Sequence, residues 1–387
     1  MRLAVLLLLA PAPPLAPAPP LQTPSPLTRV HVAPMVGFTD AHLRLLLRRL
    51  NPDVWLWTEM EKCDGRKDGW RGLRHYGVTD KVVLQLGANS VSAAVDAARR
   101  GIDLGYNEIN LNCGCPSIET GGASNYGASM MRDASRVADV AAAVAVLPGA
   151  HKVSVKCRLG VYENTDAMAA DMAGEGYADR LYASQLQPFV STIAGAADHV
   201  VVHARCAVLG GLSPKQNRLV PALDHELVHR LAQDFPSLRV TLNGGVGSFD
   251  QVETHLPHVN GVMCGRWFLR RPLDLALGDT RVAARALDAY GAHAAGCVAR
   301  REAVLADVAT PLLLVCEQLL DDGYDERLLD EQLLDGDVSD ALHDAAEGLL
   351  GKREPSLKRL SKALGKAIGT KVASKVSKNR GEGAAEG

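Results

Sequence analysis

Aromatic residues are scarce in this chain: five Phe, eight Tyr and four Trp make up 4% of 387 residues. Any core must therefore be built from aliphatic side chains. A hydrophobic content of 47% supplies them, which excludes wholesale disorder. No apolar run reaches the roughly 18 residues a membrane span needs. A strong net charge is also missing: 42 Lys and Arg against 44 Asp and Glu leave -2, so overall charge does not mark a nucleic-acid binder. The eight cysteines include no CxxC pair. They are dispersed, a chain this large needs no disulfide framework, and the spacing does not suggest zinc. The expectation is thiols in a reducing compartment, with no metal.

The near-zero charge hides a split. Residues 352–387 hold ten Lys and Arg against three Glu. That tail carries +7, so the rest of the chain carries -9. Lys358, Lys362 and Lys366 are spaced to share one helix face. Just before the tail, residues 317–347 hold twelve acids against one arginine. At the other end, Met1-Arg2 precedes an apolar stretch, Leu3 to Ala10, and then eight prolines between Pro11 and Pro26. That pattern reads as a leader or a disordered Pro-rich segment over residues 1–27.

From Arg29 onward, short β-branched runs alternate with Ala/Leu-rich amphipathic segments. Eight strands are expected: Val30–Ala33, Val54–Thr58, Val82–Leu86, Glu108–Leu111, Lys152–Cys157, His199–His203, Arg239–Leu242 and Gly261–Cys264. Helical patterns lie between them, such as Ala41–Leu50, Ser92–Arg100, Ser135–Val146 and Leu223–Asp234. Eight βα units over about 250 residues predict an α/β fold, a closed (β/α)8 TIM barrel, with an open doubly wound sheet as the alternative. The expected organisation is a barrel over 28–280, a small all-helical domain over 281–350 and a basic tail over 351–387.

A barrel carries its chemistry where the strands end. Polar and glycine residues gather at nearly every one of those ends. Asn243, Gly244 and Gly245 follow the seventh strand, and Gly265 and Arg266 follow the eighth. Those two loops are the usual phosphate site of a barrel. Lys156 closes the fifth strand, where an anionic partner is needed to offset a buried cation. It suits the electron-rich edge of a flavin or, alternatively, a Schiff base. Gln85 and His203 can hydrogen-bond a planar heterocycle. Cys115 lies in a Gly-Cys-Pro turn beyond the fourth strand, where a protonated thiol can act as a general acid. Cys113, Cys157 and Cys264 read as buried structural cysteines.

Taken in order, these residues resemble a known family. Ala33-Pro34-Met35, Thr58-Glu59-Met60, Leu84-Gln85-Leu86-Gly87, Asn110-Leu111-Asn112-Cys113-Gly114-Cys115-Pro116-Ser117 and Val155-Lys156-Cys157-Arg158 come first. His203-Ala204-Arg205, the run Gly211 to Arg218, Leu242-Asn243-Gly244-Gly245 and Gly261 to Arg266 follow. The pattern resembles the tRNA-dihydrouridine synthases, most of all their DusA branch, over roughly residues 30–275. The resemblance implies a barrel that binds FMN, takes electrons from NADPH and reduces D-loop uridines of tRNA, at positions 20 and 20a in that branch. It implies FMN contacts at Pro34, Met35, Val36, Gln85, Lys156, His203, Asn243, Gly244, Gly245, Gly265 and Arg266. Cys115 matches the proton donor. Asn112 and Arg218 match residues that hold the target uracil, and Arg205 and Lys215 are assigned with them to the substrate.

Two stretches depart from the family pattern. Val161 to Ala197 is longer than usual, so it either covers the mouth or extends a surface loop. The acidic run over 317–347 stands where a tRNA-binding helical domain is expected, and an acidic face repels tRNA. Three other readings stay open: an FMN barrel acting on a small pyrimidine, as in dihydroorotate dehydrogenase; an aldolase-type Schiff base on Lys156; and a non-catalytic RNA-binding module. For location, the leader and the need for NADPH and tRNA point to an organelle such as a plastid, slightly ahead of the cytoplasm.

Overall fold

The computed structural model describes residues 26–63, 73–116, 126–149, 151–303 and 305–322. The leader up to residue 25, most of the acidic stretch and the whole basic tail lie outside them. A short 3-10 turn, Pro26–Arg29, leads into β1 (Val30–Val32) and α1 (Ala41–Leu50). Then come β2 (Leu56–Lys62), β3 (Val82–Gly87), α2 (Val91–Asp103), β4 (Glu108–Asn112), α3 (Ala134–Ala145), β5 (Lys152–Arg158) and β6 (Val161–Tyr162). Helices α4 (Thr165–Met172), α5 (Tyr177–Leu181) and α6 (Gln187–Ile193) lead to β7 (His199–His203) and β8 (Ala207–Val208). The barrel ends with α7 (His225–Asp234), β9 (Arg239–Asn243), α8 (Phe249–His255), β10 (Gly261–Cys264) and α9 (Arg266–Arg270). Helices α10 (Thr280–Ala299) and α11 (Leu305–Asp321) follow.

Eight strands form one parallel sheet in the order β1-β10-β9-β7-β5-β4-β3-β2. Its two edges meet: the Val32 N–H donates to Trp55 O at 2.8 Å, and the Trp55 N–H to Val30 O at 2.9 Å. That closure excludes the open doubly wound sheet. Local signals set the helices. In α1, Leu43, Leu46, Leu47 and Leu50 recur at helical spacing and are buried, and the Asp40 carboxylate caps the first turn through the Leu43 N–H. Asp133, Asp224 and Ser248 cap α3, α7 and α8 in the same way. The segment from Val161 to Ala197 is the helical crossover from β5 to β7. Its α6 buries Phe189, Val190 and Ile193 and packs on α3.

Two cores result. One lies between strands and helices. A smaller one, Ala33, Trp57, Val83, Val201 and Met263, fills the barrel's interior. Much of the remaining interior is polar, because alternation turns Glu108, Asn110 and Asn112 of β4 inward, beside Ser154 and Lys156 of β5. At the N-terminal end of the strands, buried His199 bonds Glu108 Oε1 at 2.9 Å and Thr241 Oγ1 at 2.8 Å. Trp57 donates to His31 Nδ1 at 3.2 Å. Arg239 lies 3.8 Å from Glu108 Oε2. Despite burial, His199 and Arg239 hold the Glu108 carboxyl down at about 2.

Several imidazoles are buried in neutral form. Burial, with neighbouring cations, pushes His31 and His203 well below their usual range, and His42 and His255 to about 4. An unfolded chain binds these protons near pH 6.5, so the stabilising term is full above that value and is lost as pH falls toward 4. Asp40, whose buried carboxyl is raised to about 6, works in the opposite sense, but it is one group against four. The thermal midpoint should therefore drop by several degrees between pH 7 and pH 5. A midpoint that stays flat over that interval would contradict the neutral burial of these rings.

Candidate active site

The C-terminal ends of the strands form one mouth. After β1, Pro34, Met35, Val36 and Gly37 turn across it. The Met35 N–H donates to Thr39 Oγ1 at 2.9 Å, the Gly37 N–H donates to the Glu59 carboxylate, and Val36 is 60% exposed. Beneath this loop runs a chain of amides. Asn112 Nδ2 donates to Gln85 Oε1 at 2.8 Å, Gln85 Nε2 to Asn110 Oδ1 at 2.9 Å, and Asn110 Nδ2 to Ser154 Oγ at 2.9 Å. These bonds fix the Gln85 and Asn112 amides and leave each Nδ2 or Nε2 one further proton to donate.

Cys115 is half-buried and four hydrogen bonds from three groups hold its loop. Asn112 Oδ1 accepts from the Gly114 and Cys115 N–H groups at 3.1 and 3.0 Å. The Cys115 carbonyl accepts from the Ala128 N–H at 2.8 Å. Arg158 Nε donates to Gly114 O at 3.0 Å. Gly127 has φ +60°, and a Cβ there would sit 2.4 Å from the Cys115 carbonyl oxygen. Only glycine allows that approach. Cys113, Cys157 and Cys264 are buried, as their setting suggested, and burial raises all three thiols.

A cationic wall faces this thiol. Burial lowers Lys156 to about 8, with Arg158 adding to the effect and Cys115 opposing it. Arg158 is lowered to about 10, first by burial. His203 is held neutral by burial and by Arg158, Lys156, Arg205 and Arg266. Burial, and after it Arg266, lowers Arg205 and Arg218. The structure thus brings Cys115, Lys156, His203, Arg205, Arg218 and Arg266 into one electrostatic group. An anion entering the mouth is what would relieve it.

Beside the wall, the strand ends make a cradle. Gly244 and Gly245 have φ +112° and +79°, and a Cβ on Gly245 would lie 2.5 Å from Leu223 Cδ1. His225 Nε2 is 2.8 Å from the Gly244 carbonyl. The Asn243 side chain turns sideways and donates to Met263 O at 2.8 Å, tying β9 to β10. Gly265 precedes the short helix α9, and Arg266 opens it. His203 Nδ1 is buried without a partner, a donor or acceptor left over for a bound molecule.

On the neighbouring rim, beyond the ends of β5 and β7, β6 and β8 pair with each other. The turn after them is fixed by buried Asn217, whose Oδ1 accepts from the Val208 N–H at 2.8 Å and whose Nδ2 donates to Val208 O at 2.9 Å. Lys215 begins that turn and Arg218 ends it, both exposed. Arg205 Nη1 donates to Leu219 O at 3.3 Å and to the Pro221 carbonyl. Arg205 therefore braces the Arg218 arm as well as facing the mouth. Sequence reasoning did not single out Arg158, Gly127 or Asn217. It also passed over His225-Glu226-Leu227-Val228-His229, the spacing of a helical metal motif. In the structure, His225 goes to Gly244 O and His229 Nε2 lies 3.2 Å from His255 Nδ1. Among the described residues, no three His, Cys, Asp or Glu side chains are placed to hold a metal ion.

A closed parallel barrel with a glycine cradle, a cationic wall and a positioned thiol at its mouth belongs to the barrel enzymes. A family model described as dihydrouridine synthase matches residues 31–182 and 183–300, and the chain belongs to that family. It is thus a flavin-dependent oxidoreductase. It is 40% identical over 268 residues to the tRNA-dihydrouridine(20/20a) synthase of Xylella fastidiosa strain 9a5c, covering 67% of this chain and 74% of the relative. The enzyme of the same name from Xanthomonas campestris pv. campestris is 41% identical, covering 68% and 76%. That of Escherichia coli K12 is 36% identical, covering 66% and 69%. Histamine dehydrogenase from Rhizobium sp. 4-9 overlaps 66% of this chain and 46% of its own at a TM-score of 0.44 and 13% identity, too loose a match to bear on the site. Family membership removes the aldolase reading of Lys156.

Proposed function

We propose that this protein uses FMN and NADPH to reduce uridine to 5,6-dihydrouridine in the D-loop of tRNA, at position 20 or 20a. The observation that carries the reading is the cationic wall with its orphaned His203 Nδ1, set between a glycine cradle and a held thiol. Those features fit FMN. Gly244, Gly245, Gly265 and Arg266 suit its phosphate. Lys156, His203 and Gln85 suit the polar edge of its ring, and Pro34, Met35 and Val36 its face. Held there by these residues and reduced by NADPH, the flavin would supply hydride chemistry at uracil C6.

The chain's own residues do the rest. The target uridine must leave the RNA stack, at a cost of a few kcal/mol. Asn112 has an amide proton to donate to a uracil carbonyl, and Arg218 brings a guanidinium to the other. Both stabilise the enolate-like charge that develops as C6 gains hydride. Cys115 then gives its proton to C5, so the double bond gains one hydride and one proton. Arg205 and Lys215 extend the cationic rim toward the RNA backbone.

The test is direct. Purified protein should carry one flavin, and unmodified tRNA should reoxidise it after anaerobic reduction by NADPH. Free uracil or orotate reoxidising it equally well would support the small-pyrimidine reading instead, and a colourless protein would overturn the FMN assignment. The basic tail adds a second expectation. Truncation after Leu350 should weaken tRNA binding and flatten its salt dependence, because fewer counterions are released. Turnover at saturating tRNA should change much less. Unchanged affinity at low salt would show that the tail takes no part in binding.

A further inference from the structure

Arg158 ends β5 two residues after Lys156, with 5% of its surface exposed. Among the described residues, no carboxylate takes part in its hydrogen bonds. Its Nε donates to Gly114 O at 3.0 Å, and its Nη1 donates to Cys206 O at 3.3 Å and to Asn217 O at 3.1 Å. Burying a guanidinium without an anion is expensive, and an apolar side chain of similar volume is often as good for stability. What this cation does achieve is geometric. Gly114 O belongs to the peptide that links Gly114 to Cys115. Asn217 O belongs to the peptide that links Asn217 to Arg218. Cys206 directly follows Arg205. One planar fork thus grips the backbone beside the thiol and beside both arginines of the rim, on three loops that are 44, 48 and 59 residues away in sequence.

We infer that Arg158 is a positioning residue that sets the proton-donating Cys115 loop and the Arg218 arm in register with each other across the mouth. This rests on the roles proposed above for Cys115 and Arg218. Hydride and proton must reach adjacent carbons of one uracil ring. The ring is held on one side by Arg218 and protonated from Cys115, so an error in the spacing of the two loops lowers turnover even when each loop is intact. A misplacement of about 1 Å costs on the order of 10²-fold. The fork matters as well as the charge. Lysine keeps the cation but can reach only part of this acceptor set, since its donors lie on a single nitrogen.

Anaerobic stopped-flow separates the two half-reactions of the holoenzyme. Arg158→Lys should keep its flavin and its rate of reduction by NADPH, while reoxidation by unmodified tRNA falls about 10- to 100-fold at saturating tRNA. In a Cys115→Ala background, Arg158→Lys should add little further loss, because the group being positioned is already gone. A full multiplicative loss in that background would overturn the inference, as would an equal fall in both half-reactions, which marks a general structural role. If Arg158→Lys yields no folded flavoprotein, Arg158→Gln, which can still donate to one carbonyl, carries the same comparison. Failure of the underlying reading looks different: wild-type flavin that tRNA does not reoxidise, or Cys115→Ala as fast as wild type. Either result removes the inference with it.

Discussion

Cys115→Ala should leave a yellow protein that NADPH reduces at the normal rate but that turns over tRNA about 10²-fold or more slowly. In the proposed reaction the thiol acts only after hydride transfer, so the first half-reaction should not depend on it. Nor does the loop depend on it. The Asn112 side chain, the Ala128 N–H and the Arg158 guanidinium hold Cys115 and Gly114 by their backbones, and all of those bonds survive truncation of the side chain. The comparison that decides the assignment is Cys113→Ala. Cys113 lies two residues away and is buried, and burial raises its thiol far above neutrality. It is a packing residue, so its loss should lower the melting temperature and spare turnover. A Cys113→Ala enzyme as slow on tRNA as expected for Cys115→Ala, with Cys115→Ala still active, would move the acid to Cys113.

The barrel was legible in the sequence because each strand is local. Seven of the eight expected strands fall within one residue of their observed ends at both ends, from Val30–Val32 to Gly261–Cys264. The second is displaced, running Leu56–Lys62 where Val54–Thr58 was expected. Its pairing with β3 changes register between Trp57 and Met60, an irregularity that composition does not signal. The glycine loops after the last two barrel strands were legible for the same reason: the residues that make them are adjacent. Arg158, Asn217 and Gly127 were not, because each acts on a partner defined only by the fold. Yet one signal was present. Ser154, Lys156 and Arg158 alternate on β5, so a strand that turns Lys156 into the mouth turns Arg158 toward it too. The buried Glu108–His199–Thr241 group was illegible for a further reason. Its members come from β4, β7 and β9 and meet only when the barrel closes.

Gly245→Asp and Arg266→Ala should each release the flavin, and Gly245→Asp should do so almost completely. Two effects combine at Gly245. Its φ of +79° is one that side-chain-bearing residues rarely adopt, and a Cβ would meet Leu223 Cδ1 at 2.5 Å. The loop must therefore shift, and His225, bonded to the neighbouring Gly244 carbonyl, must shift with it. A carboxylate would then also stand in the place assigned to the phosphate, where like charges repel. Gly245→Ala isolates the backbone and steric part. It should retain more flavin than Gly245→Asp, and the Leu223→Ala partner substitution should recover some of the loss by removing the methyl that a Cβ strikes. Arg266→Ala removes an exposed cation without touching the backbone. Its flavin should still bind at high concentration, with a dissociation constant raised by about 10-fold or more, the worth of one charge-assisted contact. Losing that cation also partly relieves Arg205 and Arg218, which burial and, after it, Arg266 now lower. Flavin absorbance per chain after gel filtration reads all four variants. Full occupancy in both Gly245→Asp and Arg266→Ala would place the phosphate somewhere other than the ends of β9 and β10.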